Sequence, residues 1–284
     1  MLECVVNVSE GRRTEVLDAI GAACGGSLLD VHVDPDHHRA VFTLAGPGRL
    51  DAAGSARRGA AAAADRVDLS VHQGVHPRLG AVDVVPFVAL EGTTVHEAVD
   101  AARGFGDWFA GTFAVPVFFY GDACTPGTAP RTLPDVRTQA FRGLAPDVGP
   151  SQPHPRLGAT AVGVRPVLVA VNCELSADDV GLARRLASAV RERDGGLPGV
   201  RALGFRLATR ARAQVSMNLV DLDRTGVEVA CTRVRELARA EGADVAVEVV
   251  GLLPAAELDR CSAGFLSWCG VTRAKTIEAR LAGA

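Results

Sequence analysis

Chemistry-bearing side chains are densest in Val71-His72-Gln73-Gly74-Val75-His76-Pro77-Arg78-Leu79-Gly80-Ala81, a stretch too broken by glycine and proline to form a helix. Its last six residues recur letter for letter as His154-Pro155-Arg156-Leu157-Gly158-Ala159, and each copy runs on into an apolar, valine-rich segment. A residue before proline is driven out of the helical region, so His76 and His154 are expected in extended loops with their imidazoles clear of the scaffold. A neutral imidazole accepts a proton near neutral pH, and the guanidinium two residues on, Arg78 or Arg156, can hold an anion. That pairing suits acid-base chemistry on an anionic small molecule.

Six of the seven histidines (His32, His37, His38, His72, His76, His154) lie in or beside three loops, each at the end of a predicted strand. For a single loop histidine, an idle solvated ring is the default; His76 departs from it because Pro77 fixes its backbone and Arg78 stands beside it. Arg39, Arg78 and Arg156 each follow a polar loop just before a strand. There they either bind a carboxylate ligand or pair with Asp34, Asp36, Asp83 or Asp147. A zinc site from His72 and His76, or from His37 and His38 with Asp34 and Asp36, is disfavoured. Gly74 and Pro77 interrupt any helix that would align the first pair, and no metal-hydrolase motif is present. No metal is expected, and neither a dinucleotide fingerprint nor a phosphate loop occurs.

The elements that must position these residues follow from hydrophobic periodicity. A buried strand over 2–8 leads through Asn7-Val8-Ser9-Glu10-Gly11-Arg12 to a helix over 14–24. Strands over 27–33 and 40–45 flank the polar loop Asp34-Pro35-Asp36-His37-His38-Arg39. Gly46-Pro47-Gly48 breaks the second of these before an alanine-rich helix to about 67, and a strand over 82–88 closes a βαββαβ unit. A helix over 94–112 and a strand over 115–120 precede a proline-dotted segment to 155, too long for an idle loop in a compact chain. The order then restarts: strand 159–172, helix 177–193, strands 200–207 and 213–221, helix 227–240, strand 245–251, then short helices near 254–261 and 273–281. The prediction is an α+β chain of two ferredoxin-like βαββαβ sandwiches in tandem, divided as 1–158 and 159–284.

The 284 residues suffice for one large domain or two ordinary ones, and two is the expectation. Apolar content of 48% with 22% charged residues is ordinary globular composition, and a net charge of −3 argues against nucleic acid or an anionic membrane as main partner. Seven cysteines without close pairs fit neither a disulfide framework nor a structural zinc site, so a reducing cytoplasm is the simplest home. No apolar segment reaches membrane-spanning length.

Taken in order, several motifs resemble the glutamate formimidoyltransferase (formiminotransferase) family, over nearly the whole chain. They are Glu3-Cys4-Val5-Val6-Asn7-Val8-Ser9-Glu10-Gly11-Arg12, Leu28-Leu29-Asp30-Val31, Asp34-Pro35-Asp36-His37, His76-Pro77-Arg78-Leu79-Gly80-Ala81, Pro116-Val117-Phe118-Phe119-Tyr120-Gly121, Pro146-Asp147-Val148-Gly149-Pro150 and Ala213-Gln214-Val215-Ser216-Met217-Asn218-Leu219. The resemblance implies two ferredoxin-like subdomains with a ligand groove between them, in a homodimer. It implies transfer of a formimidoyl group from N-formimidoyl-glutamate to tetrahydrofolate as co-substrate, without a metal. The catalytic histidine then matches His76. The folate-contacting loop matches Gly149, Pro150, Ser151, Gln152, Pro153, His154, Pro155, Arg156, Leu157 and Gly158, with Arg39 and Arg78 as further ligand-binding residues. The chain departs from the family pattern at Val75, where a glutamate is usual, and at His32, where some members carry a catalytic aspartate. It also carries His38 in place of a common asparagine and a shortened loop between Ala140 and Pro146. His32 and Asp36 are therefore auxiliary candidates. With no carboxylate adjacent in sequence, His76 is expected to titrate near the unperturbed value of about 6.5.

Overall fold

The computed structural model describes residues 1–46, 49–125 and 127–283, so Pro47 and Gly48 of the expected break lie outside the described residues. The chain divides into two compact units, Met1–Arg165 and Pro166–Gly283.

In the first unit, β1 (Leu2–Val8), α1 (Thr14–Cys24), β2 (Leu28–Asp34), β3 (Arg39–Gly46), α2 (Arg49–Arg66) and β4 (Val82–Ala89) give the expected βαββαβ order. They are followed by α3 (Val95–Phe113), β5 (Val117–Gly121), α4 (Leu133–Gln139) and β6 (Thr160–Val164). The sheet order is β2-β3-β1-β4-β6-β5. β1 pairs antiparallel with β3 and β4, whereas β6 is parallel to both β4 and β5. Alternation along the strands sends Leu2, Cys4, Val6, Phe42, Leu44, Val85 and Phe87 into one core with α1, α2 and α3. Helices α1 and α2 approach closely because the contact is made of alanines and Gly59, where an added Cβ would stand 2.6 Å from Cys24 Sγ. A smaller cluster forms where Val136 of α4 joins Val84, Phe118, Tyr120, Ala159 and Ala161. These strand residues alternate with those of the first core, so α4 lies on the opposite face of the sheet.

The second unit repeats the order as β7 (Val169–Leu175), α5 (Val180–Val190), β8 (Val200–Leu207), β9 (Arg212–Leu219), α6 (Val227–Ala240) and β10 (Val245–Val250). Its antiparallel sheet runs β10-β7-β9-β8. Three short helices follow, α7 (Ala255–Asp259), α8 (Ala263–Cys269) and α9 (Ile277–Ala282).

Three differences from the sequence reading have physical causes. The apolar run over 159–172 is two strands, since Pro166 cannot donate to a ladder and β6 stays with the first sheet. The junction between the units therefore falls after Arg165, where 158/159 was expected. The proline-dotted segment contains α4, nucleated by a capping box in which Thr132 and Asp135 satisfy each other's backbone N–H groups. In the tail, α8 forms over 263–269, beyond the expected turn of helix, with the Ser262 side chain accepting from the Phe265 N–H.

Candidate active site

The two identical hexapeptides lie side by side. Ala81 N–H donates to the Leu157 carbonyl at 2.9 Å, and Ala159 N–H donates to Leu79 at 3.0 Å, so both copies feed adjacent parallel strands, β4 and β6. Gly80 and Gly158 face each other across this contact. A Cβ on Gly80 would stand 1.9 Å from the Ala159 carbonyl oxygen, and one on Gly158 would stand 2.4 Å from that of Leu79. The repeated glycine is thus required by backbone approach.

His76 is partly buried, and its tautomer is inferred from its contacts. Nδ1 is 2.7 Å from the Pro77 carbonyl, which only accepts, so Nδ1 carries the proton and Nε2 keeps its lone pair. Arg39 Nη1 lies 2.7 Å from Nε2 and 2.9 Å from Nδ1, so the guanidinium sits against both ring nitrogens. Arg39 is in turn fixed by Asn7 Oδ1, which accepts from its Nε at 3.1 Å and from Nη2. Burial, followed by Arg39, Arg137 and His37, holds the His76 pKa well below its ordinary 6.5, against the Pro77 carbonyl. The expectation of an unperturbed imidazole is corrected accordingly: the charges that face the ring come from β3 and α4, far away in sequence. Burial also pushes Arg39 down to about 10, with Asp83 working against it.

Two of the three histidine-bearing loops converge. His37, 6% exposed, lies with its ring centroid 5.7 Å from that of His76. His38 stacks on His72 at 4.0 Å. Val75 N–H donates to the Asp36 carbonyl at 3.3 Å, and His72 Nε2 lies 3.0 Å from the His38 carbonyl. The approach is close enough to require Gly74, whose added Cβ would meet the His37 carbonyl oxygen at 2.5 Å. Burial pushes His72 down to about 4, with charge at His38 and Arg78 adding to it against the His38 carbonyl and Glu10. Asp36 is buried in the turn before β3. His32 stands on β2 opposite Val41, whose other partner is Asn7, and so shares a sheet face with Asn7 and Arg39.

The three arginines at matching sequence positions have three fates. Arg39 meets His76. Arg78 is exposed and donates to the His72 carbonyl at 2.7 Å rather than to Asp83. Arg156 caps the C-terminal end of α2, donating to the carbonyls of Ala64 at 2.7 Å and Val67 at 3.2 Å. Its histidine differs too: His154 Nδ1 accepts from the N–H groups of Arg156 and Leu157, so His154 carries its proton on Nε2, opposite to His76. The segment 149–158 is anchored at both ends. Val148 bridges to Val117 of β5, Asp147 accepts from Phe119 N–H at 2.8 Å and pairs with Arg131, and His154 and Gly158 exchange two backbone hydrogen bonds of 2.8 Å. Gly149, at φ +90, starts the loop, and Gly149, Pro150, Ser151, Gln152 and Pro153 stand exposed between the anchors. Since Arg156 serves three backbone carbonyls of one helix end, Arg156→Met should lower stability by about 1–2 kcal/mol in urea unfolding and leave turnover unchanged. A fall in turnover with unchanged stability would contradict this structural role.

Sequence reasoning missed three contributors, Asn7, Glu10 and Arg137, and named Asp83 only as an ion-pair partner for the loop arginines. Asn7 carried a signal, as a lone amide in an apolar strand. Glu10, 1% exposed, accepts from the N–H groups of Gly11, Arg12 and Arg13 at 3.0, 2.9 and 3.1 Å, and from the Arg13 guanidinium; His38 Nε2 is 3.1 Å away. Burial raises the carboxyl pKa, but these donors outweigh it and bring it from 4.5 to about 2. A depressed carboxyl pKa stabilises the fold above the unfolded value and the gain disappears as pH falls through the folded one. Acid unfolding of the wild type should therefore show a loss of stability between pH 4.5 and about 2 that is absent in Glu10→Gln. Superimposable acid profiles would remove Glu10 from that role.

Residues 1–165 match the model for the formiminotransferase domain, N-terminal subdomain, and residues 170–269 match that for the formiminotransferase domain. A glutamate formimidoyltransferase of Streptococcus pyogenes is 35% identical over 91% of this chain and 90% of its own length. One from Thermoplasma acidophilum is 34% identical over 99% of this chain and 97% of its own. The chain belongs to the formiminotransferase family. The formimidoyltransferase-cyclodeaminase of Sus scrofa is 38% identical over 89% of this chain, which spans 50% of that longer protein. The relatives are enzymes, and the family membership makes this chain one of their class. Among the described residues no group of three or more His, Cys, Asp or Glu could hold a metal ion, and no helix is long and apolar enough to cross a membrane.

Proposed function

We propose that this formiminotransferase transfers the formimidoyl group of N-formimidoyl-L-glutamate to tetrahydrofolate, with His76 as general acid and base. The observation that carries the reading is the contact of His76 Nδ1 with the Pro77 carbonyl, from which we infer that Nδ1 carries the proton and Nε2 is the base, in a ring whose charged form burial and two guanidinium groups disfavour. The folate nitrogen attacks the formimidoyl carbon and gives its proton to Nε2 as the new C–N bond forms. Nε2 returns that proton to the glutamate nitrogen as the old C–N bond breaks, so the base is regenerated. In this sequence Arg39 yields Nε2 to the folate N–H and turns its guanidinium to a carboxylate of the substrate. Arg78 and the exposed Ser151 and Gln152 supply further polar contacts, and His32 and Asp36 are auxiliary groups.

The reading carries with it a homodimer at work in a reducing cytoplasm, where free cysteines such as Cys4, Cys24, Cys173 and Cys231, all buried, stay as thiols. The purified chain given N-formimidoyl-glutamate should release glutamate only when tetrahydrofolate is also present, with one equivalent of folate consumed per glutamate. Glutamate release that is independent of folate would point to hydrolysis and end the proposal.

A further inference from the structure

We propose that Arg137 and Asp83 are positioning residues that fix the tautomer of His76, an inference that rests on the assignment of His76 as the base. Arg137 projects from α4, which is docked on the sheet by the fully buried Val136 and started by the Thr132–Asp135 box. From there its guanidinium donates from Nη1 to the Pro77 carbonyl at 3.0 Å and forms a two-point pair with Asp83, 2.5 Å at Oδ2 and 3.3 Å at Oδ1. Asp83, 1% exposed, also accepts from the Leu79 N–H at 2.6 Å. The carboxylate thereby clamps the backbone just after His76 and the guanidinium over it at the same time. An arginine serving only as a structural partner of Asp83 would need no contact with Pro77.

That contact matters because the Pro77 oxygen takes a second donor, His76 Nδ1–H. In water the two neutral tautomers of imidazole differ little in energy, and the ring uses whichever nitrogen its partner leaves free. A carbonyl held against Nδ1 selects the Nδ1–H form and dedicates Nε2 to proton transfer. Arg137 pins the carbonyl by occupying its other lone pair. Its positive charge also faces the ring, together with Arg39 from β3, His37 from the turn before β3 and the opposing Pro77 dipole, while Asp83 on β4 lies against Arg137 and 4.0 Å from Arg39. Arg137 therefore acts in two separable ways, as a hydrogen-bond fork and as a charge. Lysine keeps the second and loses the two-point geometry of the first.

The 284-residue chain, labelled with ¹⁵N-histidine, tests this by long-range ¹H–¹⁵N spectra across a pH titration, with His76 assigned by its loss in His76→Gln. Wild type should show His76 neutral with its proton on Nδ1. In Arg137→Gln the ring should sample both tautomers and its titration midpoint should rise by about one pH unit. The acid limb of kcat/KM should move with it. Arg137→Lys should keep a midpoint near wild type while the tautomers still mix. An Arg137→Gln spectrum with the wild-type tautomer and midpoint would overturn the proposal; if that variant failed to fold, unmixed tautomers in Arg137→Lys would do the same. The readout is independent of turnover. A fully active His76→Ala would end the assignment of the base, while the spectra would still decide whether Arg137 sets the ring.

Discussion

Replacing His76 by alanine should cut turnover by roughly 10²–10⁴-fold, the usual worth of a general acid-base group. Tetrahydrofolate affinity should stay within a few-fold of wild type, because the ring is assigned to the moving proton and not to ground-state binding. The wild-type pH profile sharpens the expectation. Only the neutral ring accepts a proton, and its pKa is held well below 6.5, chiefly by burial and then by Arg39 and Arg137. The rate should therefore be flat through neutrality and fall only on further acidification, with the limb on the acid side of 6.5. Full turnover in His76→Ala, or an acid limb centred at or above the free imidazole value in wild type, would remove His76 from the role.

The largest stability effect should come from Gly80→Ala. The added methyl would stand 1.9 Å from the Ala159 carbonyl oxygen and 3.0 Å from that of Leu157, both backbone atoms with no freedom to rotate away. Relief requires the two hexapeptides to separate, and with them the hydrogen bonds that link Ala81 to Leu157 and Ala159 to Leu79. A loss of at least about 3 kcal/mol is expected in urea unfolding, at the upper end for single substitutions. Gly111→Ala is the control: it lies in α3 with nothing near the new Cβ, and should gain up to about 1 kcal/mol from helix propensity. Equal stability of Gly80→Ala and wild type would contradict the close pairing of the two copies.

Elements whose packing follows local periodicity were legible in the sequence. The helix over 14–24 places Val16, Leu17 and Ile20 on one face, and the structure begins and ends α1 at those residues. β8 and α6 likewise coincide with the apolar patterns over 200–207 and 227–240. Failures arose where one residue cancels a pattern. Pro166 splits an apolar run into β6 and β7, which join different sheets, and a capping box starts α4 inside a segment dominated by prolines.

The site was legible by residue type and not by role. His76 and His154 occupy identical hexapeptides, yet one donates from Nδ1 to a carbonyl and the other accepts there from two amides. Six shared letters leave the tautomer open, because the deciding groups, Arg39, Asp83 and Arg137, come from β3, β4 and α4. The three arginines show the same limit: equal spacing from a loop gave one guanidinium on an imidazole, one on the site loop and one on a helix end. Family motifs pointed to His76, but its depressed pKa depends on contacts that no single motif contains.

The most direct measurement follows the transferred atom. N-formimidoyl-L-glutamate carrying ¹³C in the formimidoyl group is mixed with tetrahydrofolate and excess enzyme, and single-turnover samples are quenched and read by ¹³C NMR. The account predicts that the label leaves glutamate and appears on the folate in wild type, in one step with glutamate release, while His76→Ala binds both substrates and leaves the label on the donor. Label that never reaches folate in wild type, despite bound donor and bound tetrahydrofolate, would contradict it.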